Sequence, residues 1–288
     1  MVSITATPPA PPPAPGLQRA GARLPIDEYS RQLWARRWFV AAYATSANAV
    51  GYQRSFLGQA WQLLTPLLNI LVYYLIFGLL LHTSRGVPNF IAYLSVGVIF
   101  FSFCTSSLIS GARSISTNLG LVRALQFPRA VLPVATTLVA LLQLFYSLLV
   151  LIPILVITGV PLSWRWLELV PILALQTSFC LGLAFCIARM GAQIPDTTQV
   201  LPFVSRVWTF SSGVMFSVSR VTATNPSWVG TSLKMNPGYV FLTLARHALL
   251  VNSPATTMNW VLAAGWGIGT LAVAYPYFWR GEETYGNV

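Results

Sequence analysis

Charge is what this sequence has least of. Of its 288 residues 8% are charged, with 6 acids against 17 bases, while 55% are hydrophobic and the mean hydropathy is +0.66. That is too little charge to cover a soluble globule of this size, so the composition points to an integral membrane protein. Lysine is almost missing. Lys234 stands alone between Leu233 and Met235, so no Gly-Lys-Ser/Thr phosphate loop exists and the chain carries no Walker-type ATPase site of its own. Cysteine is scarce: Cys104, Cys180 and Cys186 fall in apolar runs without CxxC spacing, which excludes a disulfide framework or zinc site and leaves small packing residues. His82 and His247 lack the i, i+4 companion of a metal pair and read as interfacial packing. The six carboxylates, Asp27, Glu28, Glu168, Asp196, Glu282 and Glu283, place no two on one membrane helix, so paired acid/base chemistry has no candidate site.

The charge that is present is clustered. Residues 62–81, 130–158 and 256–279 contain no Lys, Arg, Asp or Glu, and each is long enough to cross hydrocarbon, which takes roughly 20 residues. Six spans are expected, at about 62–81, 88–110, 130–158, 167–189, 199–218 and 256–279. An even count puts both termini on one side. With the N-terminus in the cytosol, eleven arginines lie inside (19, 23, 31, 36, 37, 54, 113, 123, 129, 189 and 280) and five bases outside (Arg85, Arg165, Arg220, Lys234 and Arg246). That bias is the one expected of a cytosolic N-terminus, and the net charge of +11 suits anionic lipid headgroups better than nucleic acid.

Residues 1–25, rich in Pro and Ala with no continuous apolar core, read as a disordered cytosolic tail rather than a signal peptide. Residues 26–54 read as an amphipathic interface helix: Asp27 and Glu28 suit its positive end, and Trp34, Trp38 and Ala41 share one face. The transmembrane domain fills 55–288. Within it, residues 219–255 contain Pro226, Pro237 and Pro254, and their apolar stretch 239–251 is broken by Arg246 and His247. An outer re-entrant or interfacial helix hairpin fits this segment better than a seventh span. The fold class is therefore all-α integral membrane, and the lack of a soluble catalytic domain favours transport over chemistry.

Arg206 is the ionisable residue placed inside a span, where desolvation makes a charge costly. With Gln199, Ser205, Thr209, Ser211 and Ser212 it makes the fifth span the most polar; either this helix faces a water-filled pathway or Arg206 snorkels to the inner interface. Tyr73, Tyr74, Phe77, Phe100, Phe101, Phe103, Trp208 and Phe210 supply rings that can stack on sugar C–H faces, or serve as lipid belts and packing. Gly265, Gly267 and Gly269 place a GxxxG in the sixth span, a motif of close helix contact.

Three motifs go beyond composition. Tyr52-Gln53-Arg54-Ser55-Phe56-Leu57-Gly58-Gln59-Ala60-Trp61 with Pro66 resembles the lead-in to the first span of ABC-2-type polysaccharide export permeases. Asn118, Leu121-Val122-Arg123 and Phe127-Pro128-Arg129 with Pro133 are similar to the cytosolic loop between the second and third spans of that family, and Asn236-Pro237 followed by Arg246 resembles its outer hairpin. The likeness runs from about residue 30 to the end and is nearest to the Wzm-like branch. It departs at Pro195-Asp196-Thr197, where the family has Arg-Asp-aliphatic, and at Ser212-Gly213-Val214, where the family has Ser-Pro-Val.

The resemblance implies a half-transporter. Two copies of this chain would form the pathway, and two copies of a separate nucleotide-binding subunit would bind ATP and Mg, with no cofactor in this chain. The interface helix and the loop with Arg113, Asn118, Arg123, Phe127, Pro128 and Arg129 would couple ATPase movement to the spans. The cargo would be a polysaccharide on a polyprenyl diphosphate lipid, carried across the bacterial plasma membrane. Arg37 and Arg54 lie where that diphosphate would be held, or else anchor headgroups. Arginine and alanine usage fits a GC-rich bacterium and a glycan such as galactan, beside O-antigen, capsule or teichoic acid. Competing readings are an ABC-2 exporter of drugs or small lipids, and a membrane polyprenyl-phosphate transferase, for which the scattered acids supply no site.

Overall fold

The computed structural model describes residues 24–51, 56–81, 87, 89–124, 127–216, 227–251 and 253–285. Helices are the regular structure among them, as hydrocarbon demands: each backbone N–H must find a carbonyl within its own segment. Among the described residues five helical stretches are long and apolar enough to cross a membrane, Gly58–Leu80, Phe90–Arg113, Val131–Ile157, Trp164–Gln193 and Thr257–Arg280. The elements in chain order are α1 (Ile26–Ala35), α2 (Arg37–Val50), α3 (Trp61–Tyr73, continued by a π-helical segment Tyr74–Leu80), α4 (Phe90–Arg113), α5 (Leu119–Ala124), α6 (Val131–Ile157), α7 (Leu169–Gln193), α8 (Thr197–Ser211), α9 (Ser227–Met235), α10 (Pro237–Leu249) and α11 (Thr257–Arg280).

Helix α4 is the axis of the bundle. Its most apolar stretch is 72% buried, against 11% for α3, and it packs on α3, α6, α7, α8 and α10. Asn89 starts it from a left-handed conformation, φ 53°, accepting from the Ala92 amide at 3.3 Å and donating to the Thr158 carbonyl at 2.9 Å. Small residues bring α7 and α11 together: a Cβ on Gly267 would meet the Leu175 carbonyl oxygen at 2.7 Å, and one on Gly182 would meet the α11 backbone at 2.8 Å. Gly265 and Gly269, the other glycines of the motif, face open space within this chain.

Two expectations come out differently. Of the interface helix expected over 26–54, the described part is two helices parted at Arg36; α2 packs on α6, with Val40 against Val131 and Ala135, while Trp34 and Trp38 stay exposed. The span expected over 199–218 is the 15-residue α8, about 22 Å long and short of the roughly 30 Å of hydrocarbon. Gly213 ends it with φ 66°, a conformation open to glycine at little cost. Helices α9 and α10 fill the neighbouring volume. Their junction lies beside the last turn of α8 and the middle of α11, because the Trp208 indole donates to Asn236 Oδ1 at 2.9 Å and the Trp266 indole to the Met235 carbonyl at 3.0 Å.

Candidate functional site

The two ends of the described chain meet at one end of the bundle, here termed basal. Tyr29 on α1 is buried there; its hydroxyl donates to Glu282 Oε2 at 2.7 Å and accepts from the Ala130 amide at 3.0 Å. The Arg129 amide donates to Glu282 Oε1 at 2.9 Å, and the Arg129 guanidinium donates to the Glu282 carbonyl oxygen. Burial pushes the Glu282 carboxyl above the usual carboxylate range, opposed by these N–H and O–H donors and the Arg129 charge. Burial, with Glu282 beside it, likewise pushes the Tyr29 phenol well up. The same junction takes in α2, where the Tyr43 hydroxyl donates to Asn118 Oδ1 at 2.7 Å and the Phe39 ring sits 6.4 Å from Phe127. Three of the loop residues singled out in the sequence, Asn118, Phe127 and Arg129, thus bind α1, α2 and the C-terminal segment together, with Pro128 buried beside them. Arg113 and Arg123 are exposed on the same loop.

At the distal half, Arg246 on α10 is buried. Its guanidinium donates to the Tyr93 hydroxyl at 2.7 Å and to the carbonyls of Gly213 and Val214 at 3.0 and 2.9 Å, and stacks 3.5 Å from the Tyr93 ring centre. Gly97 makes room, since a Cβ there would lie 2.6 Å from Arg246 Nη2. Asn236 caps α10 through the Gly238 amide at 2.9 Å and reaches Ser211 Oγ at 3.3 Å. Helix α10, the end of α8 and α4 are therefore one unit. Next to it His247 Nε2 lies 3.7 Å from Glu168 Oε2, a carboxylate companion that sequence spacing could not show.

Along α3 and α8 runs a chain of rings: Tyr73 to Phe77 at 6.4 Å, then Phe77 to Phe210 at 6.4 Å. Tyr74 is half-buried beside them. Trp208 sits edge-on to Phe101 at 5.0 Å, and Phe100, Phe101 and Phe103 are buried in the core. Arg206 is exposed on α8, its guanidinium 5.8 Å from the Phe203 ring centre. Along α8, Ser205 donates to Pro202 O, Thr209 to Ser205 O, and Ser212 to Trp208 O, at 2.9, 2.7 and 2.7 Å. Arg37 is exposed between Trp34 and Trp38, 5.6 and 5.7 Å from their ring centres. Arg54 lies outside the described residues, with the Tyr52–Ser55 part of its motif.

A polar crevice of about 160 Å³ opens between α3, α4 and α6. Gln62, Thr65 and Asn69 line it from one face of α3, Ser102 and Ser106 from α4, and Gln143 and Ser147 from α6. Sequence reasoning passed over these residues, although spacings of three, four or seven put each set on one helix face. It also passed over Tyr29 and treated Glu282 as a tail residue.

The ABC-2 type transporter family model matches residues 43–250, which takes in α3 to α10. The chain is 25% identical over 217 residues to an O-antigen export system permease protein RfbA of Myxococcus xanthus, covering 74% of this chain and 80% of that protein. It is 25% identical over 183 residues to an RfbA of Klebsiella pneumoniae, covering 63% and 70%. To the polysialic acid transport protein KpsM of Escherichia coli it is 26% identical over 234 residues, covering 79% and 87%. With most of its helical bundle inside that match, the chain belongs to the ABC-2 type transporter family and is a multi-pass membrane protein.

Proposed function

We propose that this chain is the permease subunit of an ATP-driven exporter that carries a lipid-linked cell-envelope polysaccharide out across the bacterial plasma membrane. The observation that carries the reading is that relatives named for two different glycans, O-antigen and polysialic acid, align over 70–87% of their own lengths with a chain whose described residues hold five helices fit to cross a membrane. ATP and Mg would be bound on a separate subunit, because Lys234 has no phosphate-loop neighbours.

In this reading the basal end faces the cytosol, in keeping with the arginine bias. An ATPase pressing on the loop with Asn118, Phe127 and Arg129 would move α1, α2 and the C-terminal segment with it, because Tyr29 and Glu282 tie them into one junction. Helix α3 leaves most of its surface unburied, with Leu71, Leu75 and Leu79 exposed. A second copy of the chain would cover that face, and the Tyr73, Phe77 and Phe210 rings would then border the passage. Arg37, held over two exposed tryptophans, would meet the lipid diphosphate at the membrane surface. Which glycan is carried, galactan, O-antigen or teichoic acid among others, is open to direct assay. Depletion of the protein in its own bacterium should lower the surface glycan and raise the lipid-linked glycan inside the cell. An unchanged ratio of the two defeats the proposal.

A further inference from the structure

We propose that the crevice between α3, α4 and α6 is a binding site for one uncharged sugar residue of the exported glycan; this rests on the polysaccharide reading above and deepens it. The lining decides the chemistry. It is rich in amides and hydroxyls and contains no charged side chain, so a phosphate or a cation entering it would lose its hydration without a counter-charge. An apolar tail would in turn leave Gln62, Asn69 and Gln143 without partners. A sugar residue satisfies both conditions. Its adjacent hydroxyls each donate and accept, and a carboxamide, with two N–H donors and one carbonyl, can engage two of them at once.

The side chains are also poised for an outside ligand. Gln62 lines the crevice and is 5% exposed, and its buried Nε2 has no protein partner, so a small rotation of the amide would turn an unpaired donor toward a ligand. Its carbonyl oxygen is held by Asn48 Nδ2 on α2, at 3.4 Å. Ser102 and Ser147 donate their own hydroxyl hydrogens to the Ile99 and Gln143 carbonyls, at 2.7 and 2.9 Å, and so offer lone pairs to a ligand. Pro66, inside α3, has no N–H for the Gln62 carbonyl one turn back, which adds an acceptor on the same helix. The volume of about 160 Å³ is room for about five waters or one pyranose, not an oligosaccharide. Val98, Ile99 and Leu144 give an apolar floor for the C–H face of a ring. Helix α2 reaches both the crevice-lining Gln62, through Asn48, and the basal loop, through Tyr43 and Asn118. Occupancy of the crevice is thereby connected to the place where the ATPase would act.

The test uses the full-length protein in lipid nanodiscs, titrated with the methyl glycosides of glucose, galactose and mannose and with glucose 1-phosphate, binding being read by saturation-transfer NMR. At least one neutral glycoside should bind saturably and the sugar phosphate should not. Gln143→Leu and Asn69→Leu should each weaken binding about 3- to 10-fold, the loss of one or two neutral hydrogen bonds. Ser147→Ala, a change too small to disturb folding, should weaken it about 3-fold. No saturable signal for any neutral glycoside, or binding unchanged in all three variants, overturns the site; so does tighter binding of the phosphate. Depletion in cells is scored separately. Lowered surface glycan with no sugar binding removes the crevice and leaves the exporter reading in place, whereas unchanged surface glycan removes the exporter reading itself.

Discussion

Replacing Arg246 by Met should release the α9–α10 hairpin from the bundle. The guanidinium makes three hydrogen bonds, to Tyr93 and to the Gly213 and Val214 carbonyls, and stacks on the Tyr93 ring. Hydrogen bonds from a charged donor contribute about 1.5–3 kcal/mol each, and the burial of a cation offsets a large part of their sum. A net loss of about 3 kcal/mol is expected, or a fall of about 6–12 °C in Tm for a chain of this size. Trp208 and Trp266 both hydrogen-bond to the hairpin tip, so tryptophan emission during thermal unfolding in nanodiscs reports its release directly. Arg246→Lys keeps the charge but offers a single point in place of a planar fork, and should recover less than half of the loss. Gly97→Ala, whose Cβ would crowd Arg246 Nη2 and the Val214 carbonyl, should move Tm the same way by about half as much. A change below about 2 °C in Arg246→Met, with unaltered tryptophan emission, would show that the hairpin is held by apolar packing alone and refute the reasoning.

The basal junction makes a prediction of opposite pH sense to an ordinary ion pair. Since burial raises the Glu282 carboxyl, the folded state holds its proton more tightly than the unfolded chain, and its contribution to stability falls as pH rises from the usual carboxylate value through the raised one. Glu282→Gln should remove that slope and, by setting its NH2 against one of the two donors, lower Tm by less than Glu282→Ala does; Glu282→Ala, which leaves both Tyr29 and the Arg129 amide unpaired, should cost about 2 kcal/mol in thermal unfolding. In α11, Gly267→Ala should destabilise by about 1–3 kcal/mol through contact with the Leu175 carbonyl; Gly265→Ala, facing open space, should stay within about 0.5 kcal/mol in the same assay. Phe127→Ala and Asn118→Ala should leave helical content unchanged but lower transport per ATP hydrolysed about 10-fold or more, a value read by paired ATPase and transport assays against about 1–2 kcal/mol of lost contact.

Much of the fold was legible because hydrocarbon imposes length and apolarity, and the runs without charge at 62–81, 130–158 and 256–279 lie within or along long helices of the structure. The fifth span was overestimated for a physical reason. Apolar residues continue past Ser211 to Phe216, but Gly213 turns the chain and its carbonyl, with that of Val214, goes to Arg246 instead of a helix partner. The junction between Tyr29 and Glu282, 253 residues apart, and the His247–Glu168 contact have no local signature. The crevice had one: polar residues at helical spacing on three apolar helices. Only packing shows that the three faces converge.

The central claim is tested most directly by transfer in a defined membrane. The purified chain, with its ATPase partner, is reconstituted in proteoliposomes with lipid-linked glycan isolated from the source bacterium on the side that holds the ATPase. The account predicts that ATP and Mg make the glycan accessible to a glycosidase on the opposite side, and that vesicles lacking either protein leave it protected. Glycan that stays protected while the complex hydrolyses ATP and moves a small amphiphile instead would contradict it.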